Sequence, residues 1–391
     1  MKQAIILAAG EGIRLKPFTV NKPKAMISIA GKPVIQYVLE ALAANGVRNI
    51  ILIVGYQKEQ IFDYVGDGGQ FGVEVKYITQ EHLLGTGHAL AQAEGLTEEE
   101  FLVVAGNKLI KAETIAQIVK TEPPGILIKM VTDPSGYGLV VFKDGKIAEI
   151  VEKPVSSQPG YINTSIYAFN RQFFSYLGSD LALTDAINKM VARGVRMNVV
   201  ETDQTWLDIV YPWDILTLNA LLLQGIKSDQ NGVIEAGVYL QGNVLIGKDT
   251  LIHSNSYIVG PVVIGKGCEI GPSVCIFPST SIGDNVTLGP FSEIKNSVIE
   301  GDVYINSHCL IQDSVIDSGC VIGSQFNALS AEVDVKIDHE YHSVKTGAML
   351  GRSCRIGNTV TAQAGTIIGN YSQVKSFKLV SGTIPDRSLL A

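Results

Sequence analysis

The chain lacks a positive excess: 31 Lys and Arg face 38 Asp and Glu, for a formal net charge of −7. Binders of nucleic-acid polymers meet phosphates with a basic stripe, so no nucleic-acid partner is expected. A small phosphorylated ligand needs only a few local cations and stays open. Cysteine is absent before residue 268, and Cys268, Cys275, Cys309, Cys320 and Cys354 make no CxxC pair. An odd set without metal-ligand spacing reads as buried free thiols in a reducing compartment, which makes the cytoplasm the expected location. No apolar run is long enough to span a bilayer, so no membrane partner is expected. Ile5 to Leu7 passes at once into Ala8-Ala9-Gly10-Glu11, so no signal peptide is expected either.

What is present is enough apolar residue for two cores. At 391 residues the chain is too long for one compact core, and 46% hydrophobic against 18% charged lets both parts bury one. The first 224 residues alternate strand-like runs (Ala4 to Leu7, Asn49 to Val54, Val73 to Ile78, Phe101 to Val104, Ile126 to Val131) with helical stretches. Val34 to Ala44 has helical periodicity and Gly46 as its stop. This predicts a doubly wound, Rossmann-like α/β domain with a mostly parallel sheet, whose ligands bind at the carboxyl ends of the strands.

The pattern changes near Gly225. From Leu240 an aliphatic recurs every sixth position through Ile246, Ile252, Ile258, Ile264, Ile270, Ile276, Ile282, Leu288 and Ile294. The period resumes after one-residue deletions at Ile299, Ile305, Ile311, Ile316 and Ile322, and again from Leu350 to Ile368. Neither an α-helix nor an alternating strand has period six, whereas a parallel β-helix of hexapeptide repeats does. The expected layout is a first domain over 1–224, a linker over 225–237, a β-helix over 238–375 and a tail over 376–391. Residues 325–344 break the period and read as an inserted loop. Its Asp334, Asp338, His339, Glu340 and His342 read as a solvated polar surface in preference to a metal site.

The first strand ends in Leu7-Ala-Ala-Gly-Glu-Gly-Ile-Arg-Leu-Lys-Pro-Phe-Thr19. Glycines after a strand let backbone N–H groups approach an anion, and Arg14 and Lys24 place cations close behind. That combination suits a nucleoside triphosphate, with backbone around phosphate and cations offsetting the charge of leaving pyrophosphate.

This segment, with Lys22-Pro-Lys-Ala-Met26, Gly31-Lys-Pro33, Gln80-Glu-His-Leu-Leu-Gly-Thr86, Tyr137-Gly138, Glu152-Lys-Pro154, Asn163 and Trp206-Leu-Asp208, resembles the sugar-1-phosphate nucleotidylyltransferase family in residue and order. With hexapeptide repeats attached, it resembles the bifunctional nucleotidylyltransferase/acetyltransferases that make UDP-N-acetylglucosamine. The resemblance implies transfer from UTP or dTTP to a sugar 1-phosphate, with Mg²⁺. It implies that Ala9, Gly10, Gly12 and Arg14 hold the triphosphate, that Lys24 contacts phosphate, and that Gln80, Gly85 and Thr86 read the base. Gly138, Glu152 and Asn163 would bind the sugar, and Lys153 its phosphate. Asp208 would help hold the metal. It further implies a left-handed β-helix, a homotrimer, and a second activity using acetyl-CoA with His308 as general base. The stretch after Gly323 matches that acetyltransferase pattern only faintly, so the expected role of the β-helix is structural or trimer-forming.

One position departs sharply. The family carries Gly-Asp after the strand Phe101 to Val104, and that Asp binds the metal; here the chain reads Gly106-Asn107-Lys108. Neutral Asn107 is a poorer ligand for hard Mg²⁺ than a carboxylate. Three readings are open. Asp208 with water and substrate phosphates holds the metal; or Lys108 replaces part of its charge; or the domain is a catalytically weak regulatory or sugar-nucleotide-sensing homologue. Activity is the expectation, because Arg14, Lys24, Lys153 and Asp208 remain. A dinucleotide-dependent oxidoreductase is set aside, since neither a full GxGxxG nor a following ribose-binding acid is present.

Overall fold

The computed structural model describes all residues except Ser156, Ser157, Ser179, Asp180, Thr205 and His339. The chain divides into two compact units. The first comprises Met1–Glu11, Lys22–Met26 and Pro33–Asp208, and the second Gly12–Asn21, Ile27–Lys32 and Ile209–Ala391.

The first unit is built on one sheet. Strand β1 (Gln3–Ala8) lies between β2 (Asn49–Val54) and β4 (Glu100–Ala105), parallel to both, and β3 (Glu74–Thr79) adds parallel to β2. On the other side β9 (Gly160–Asn170) pairs antiparallel to β4 and carries β6 (Gly125–Val131) and the hairpin β7 (Gly138–Lys143) and β8 (Lys146–Glu152). Strand β10 (Asn198–Glu201) runs parallel to β6. Alternate residues of a strand face opposite sides, and here both sides are covered. Ala4, Ile6 and Ala8 join a core with Ile35, Val38 and Leu39 of helix α1 (Val34–Ala44). Ile5, Ile51 and Ile53 join a second core with Phe173, Ala186 and Ile187. Hence these strands read as continuous apolar runs. Helix α1 starts directly after Pro33, whose fixed φ suits a helix entry, and ends at Asn45-Gly46 with Gly46 at φ 74°.

A small second ladder carries residues that the sequence marks for chemistry. Chain leaving β4 turns through Gly106, where an added Cβ would lie 2.9 Å from the Cβ of Ala8. It enters β5 (Lys108–Ile110), which pairs antiparallel with β11 (Trp206–Asp208), putting Lys108 directly opposite Asp208.

The second unit is a parallel β-helix of three sheets, with nine, nine and eight strands among the described residues. Equivalent residues are eighteen apart in the first coils, as Val244 and Val262 are, and seventeen apart where the sequence shows deletions, as Ile282 and Ile299 are. The hexad aliphatics from Ile246 to Ile368 stack into one core. Cys268, Cys309, Cys320 and Cys354 are buried in it, and all five cysteines are free thiols. These four occupy corner positions: Cys268 donates its S–H to the Gly283 carbonyl at 3.1 Å, as Thr250 donates its hydroxyl to Gly265 at 2.6 Å.

Three features differ from the sequence expectation. The sheets begin at Asp229–Gln230 and run to Leu389–Leu390, so residues read as linker and tail carry coil strands. They are sparse in the aliphatic–glycine pattern because terminal coils pack on one side only. Helix Asp214–Leu223 belongs to the second unit, where the Asn219 side chain accepts from Ala30 N and donates to Ser279 O. The inserted loop is a β-hairpin, Ala331–Ile337 against Glu340–Thr346; Val333, Val335 and Ile337 alternate along it with polar residues. His342 of this hairpin packs 4.3 Å from the Tyr211 ring, while His339 lies outside the described residues. Among the described residues no helix is long and apolar enough to cross a membrane.

Candidate functional site

A pocket of about 610 Å³ opens in the first unit at the carboxyl ends of β1, β3 and β4. The strand order makes this inevitable: β1 sits centrally, and the loops after its neighbours converge on the turn at Ala9 and Gly10. Ala9 is pinned there by Tyr56 N–H, which donates to its carbonyl at 3.1 Å. A Cβ on Gly10 would meet nothing within 4 Å, so the backbone at Gly10 is open to a ligand.

After β3, Gln80 is buried. Its N–H donates to Val54 O at 2.8 Å, and its Nε2 donates to Gly85 O at 3.1 Å and lies 2.9 Å from His88 Nδ1. Gly85 has φ 130°, and a Cβ there would lie 2.3 Å from Leu181 O. Only glycine allows that approach. Thr86 opens the helix Thr86–Ala91, and its hydroxyl accepts from Leu183 N at 3.0 Å. Leu83, Leu84 and Leu181 form an exposed apolar rim on this side.

The far wall comes from the antiparallel strands. Asn163 is buried; its Nδ2 donates to the Tyr167 hydroxyl at 2.6 Å, and its Oδ1 accepts from Ser165 N at 2.9 Å. Burial pushes the Tyr167 phenol well up, so it stays protonated. Glu152 lines the same wall and pairs across the hairpin with Gly138, where a Cβ would lie 3.1 Å from Glu152 Oε1.

The charged wall is the β5–β11 ladder. Asp208 Oδ1 accepts from Lys24 Nζ at 3.0 Å and Asn107 Nδ2 at 3.1 Å, and Oδ2 accepts from Lys108 Nζ at 3.0 Å. Lys108 also sits 4.4 Å from the Trp206 ring centroid, a cation–π contact. Trp206 is itself fixed by its Nε1–H, which donates to Thr164 O at 2.9 Å. Burial works to raise the Asp208 pKa, but the charges of Lys108 and Lys24 and their hydrogen bonds outweigh it and hold the carboxyl below its usual range.

These residues do not fit a resident divalent ion. Mg²⁺ wants near-octahedral oxygen ligands. Asp208 is the one carboxylate on this ladder, both its oxygens already accept from three donors, and two of those donors are cations. Asn107, expected as a metal ligand, points its amide Nδ2 at Asp208 instead. Among the described residues no group of three His, Cys, Asp or Glu is placed to hold a metal.

Ten residues singled out from sequence line the pocket together: Ala9, Gly10, Gln80, Gly85, Thr86, Asn107, Lys108, Glu152, Asn163 and Asp208. Lys24 joins them through its ion pair with Asp208. Lys153 follows β8 with φ 46° and an exposed side chain, and does not line the pocket. Gly12, at φ 73°, and Arg14 belong to the second unit, where the Arg14 guanidinium lies 5.8 Å over the Tyr211 ring. His308 stands on a β-helix corner at φ 60°, exposed, its ring 5.1 Å from Phe291. Asn255, Ser273, Phe291, Gln325 and Thr359 repeat that left-handed corner on neighbouring coils. Among the described residues no carboxylate is hydrogen-bonded to its ring. Tyr167 and the Leu181–Thr184 segment line the pocket without any local motif to mark them.

A model of the family described as nucleotidyl transferase matches residues 3–225, and one described as GMPPB C-terminal domain matches residues 258–340. The bifunctional protein GlmU of Methanococcus maripaludis is 36% identical, with 99% of this chain and 96% of that protein aligned. A bifunctional sugar-1-phosphate nucleotidylyltransferase/acetyltransferase of Sulfurisphaera tokodaii is 34% identical over 95% of each. A crystal structure described as that of a glucose-1-phosphate thymidylyltransferase from Bacillus anthracis superposes with a TM-score of 0.52 at 27% identity, covering 58% of this chain and 97% of that one.

Proposed function

The chain belongs to the nucleotidyl transferase family, and on that premise we propose that it joins a pyrimidine nucleoside triphosphate, UTP or dTTP, to a sugar 1-phosphate. An oxygen of the sugar phosphate attacks the α-phosphorus. The bond from that phosphorus to the bridging oxygen of the β-phosphate breaks, and the electron pair leaves with pyrophosphate. The nucleophile is already ionised, so the reaction needs no covalent enzyme group. It needs two anions held in line and their charge offset.

The observation that carries this reading is the convergence on one pocket of ten residues spread from Ala9 to Asp208, beside the Lys24–Asp208 pair. Gln80 is engaged at Nε2, which leaves its Oε1 to accept the imide N–H of uracil or thymine. Asn163 and Glu152 supply polar groups for sugar hydroxyls. The open backbone at Gly10 takes the triphosphate, and Lys24 meets phosphate at the reacting centre. Lys153 contributes to the sugar phosphate. The family generally uses a divalent metal, whereas at Asp208 of this chain the residues do not fit one.

The proposal extends to the β-helix as an assembly device. Tyr239, Phe291, Phe377 and Leu379 leave apolar surface on the coils, which supports a homotrimer. The free thiols favour a reducing compartment such as the cytoplasm. His308 occupies an ordinary corner position, which supports a structural role for it over acetyl transfer from acetyl-CoA. The test of the main reading is pyrophosphate release that requires both a triphosphate and a sugar 1-phosphate. A protein that binds a nucleotide sugar and releases nothing with any pair would favour the regulatory reading that Asn107 raises.

A further inference from the structure

The Lys108 ammonium is held in a fixed place by three independent contacts. Backbone register puts it opposite Asp208, its Nζ donates to Asp208 Oδ2 at 3.0 Å, and the Trp206 face lies 4.4 Å away. Its side chain is only 9% exposed, yet it lines the pocket. Lysine has three N–H donors. Asp208 takes one of them, and the ammonium keeps donor capacity for a phosphate oxygen.

The charge count is informative. Lys24, Lys108 and Asp208 together carry +1 + 1 − 1 = +1. A divalent ion held between two carboxylates at positions 107 and 208, with Lys24 alone beside it, would also carry +1. Neutral Asn107 next to cationic Lys108 therefore keeps the local charge while removing the ion. A divalent ion added at Asp208 Oδ2 would instead stand against the Lys108 ammonium, positive against positive, in a poorly hydrated wall where the repulsion is strong.

We propose that Lys108 does at Asp208 what a protein-held divalent ion would otherwise do: it stays in the pocket wall through the reaction, offsets the charge of the triphosphate, and keeps Asp208 from binding a metal. The inference rests on the proposed nucleotidyl transfer for its catalytic half and on the ladder alone for its metal half. An ammonium cannot polarise phosphate as a Lewis acid does, but it supplies a full charge and a directed hydrogen bond. Any Mg²⁺ in the reaction then travels on the triphosphate.

The metal half is tested by electron paramagnetic resonance of Mn²⁺ added to the full chain, to Asp208→Asn, and to the double variant Asn107→Asp/Lys108→Ala. Wild type and Asp208→Asn should bind Mn²⁺ equally poorly, and the double variant should gain a bound ion. Wild-type binding of one Mn²⁺ that Asp208→Asn abolishes would overturn the inference. The catalytic half is read on the substrate pair that wild type turns over. Lys108→Met keeps the stem against Trp206 and should lower kcat by about 100-fold while the chain melts as a folded protein. With excess chelator the double variant should lose at least about tenfold more activity than wild type and regain it with Mg²⁺. Lys108→Met within about twofold of wild type would sink this half. No release from wild type with any pair counts against the proposed function itself, while the Mn²⁺ result still decides the metal half.

Discussion

Lys108 and Asp208 are cross-strand partners, 3.0 Å apart at Nζ and Oδ2, on a two-stranded ladder that forms one wall of the pocket. The pair joins residues a hundred positions apart in the chain, and its placement depends on backbone register more than on side-chain flexibility.

Replacing Asp208 by Asn leaves two ammonium groups facing each other with no anion between them. Asp208 is 15% exposed, so the loss is damped but not removed by water. The expected cost is about 2–3 kcal/mol of stability, measured by denaturant unfolding, with pyrophosphate release reduced at least about 100-fold. The stability cost also depends on pH. The folded carboxyl lies below its usual range, so its contribution is present above the unfolded value of about 3.9 and is lost as pH falls through the folded value. The gap between wild type and variant should therefore close only in acid below about pH 4. A gap that closes near neutrality would contradict the assignment.

Gly85→Ala places a methyl 2.3 Å from Leu181 O at a φ of 130°. The loop must shift, and with it the Gly85 carbonyl that holds Gln80 Nε2. We expect KM for the triphosphate to rise about tenfold or more, with a smaller effect on kcat. Equal KM values in steady-state kinetics would remove Gly85 from base recognition.

In the β-helix, His253 lies between Glu235 at 3.0 Å and Glu269 at 3.3 Å. Partial burial lowers its pKa, but the hydrogen bonds and charges of the two carboxylates outweigh that and raise it. A raised group contributes stability below its unfolded value of about 6.5 and loses it as pH rises through the folded value. Proton NMR of the His253 ring should give a midpoint above about 6.5, and Glu235→Gln should lower it.

Ile270 is fully buried in the hexad core. Ile270→Ala should cost about 2–5 kcal/mol, read from the unfolding of the full chain. A cost below about 1 kcal/mol would mean that the coils relax around the cavity far more than such stacked side chains should.

Much of this was legible in the chain. Six-residue spacing from Leu240 to Ile294 admits no structure but stacked coils, because each aliphatic must return to the same inward column. The strands Gln3–Ala8 and Asn49–Val54 were legible because burial on both faces leaves no polar alternation. The hairpin Ala331–Ile337 carried its own alternation, Val333, Val335 and Ile337, but charged neighbours hid it as a polar loop. At the site, the glycine loop with Arg14 and Lys24 stands out from the residues themselves, whereas Gln80, Glu152, Asn163 and Asp208 are marked only by the family resemblance. Lys108 showed as a cation beside Asn107 without its partner, because nothing local states that residue 108 pairs with residue 208. Leu181 to Thr184 was silent, since it acts through backbone atoms that accept from Gly87 and donate to Thr86.

The central claim is nucleotidyl transfer to a sugar phosphate. The most direct measurement is pyrophosphate release from the purified full chain, crossing UTP, dTTP, ATP and GTP with glucose 1-phosphate, N-acetylglucosamine 1-phosphate and glucosamine 1-phosphate. The account predicts release that requires both substrates, prefers a pyrimidine triphosphate and falls with Lys24→Ala. Release that proceeds equally without any sugar phosphate, or none with any pair from protein that still binds a nucleotide sugar, would contradict it.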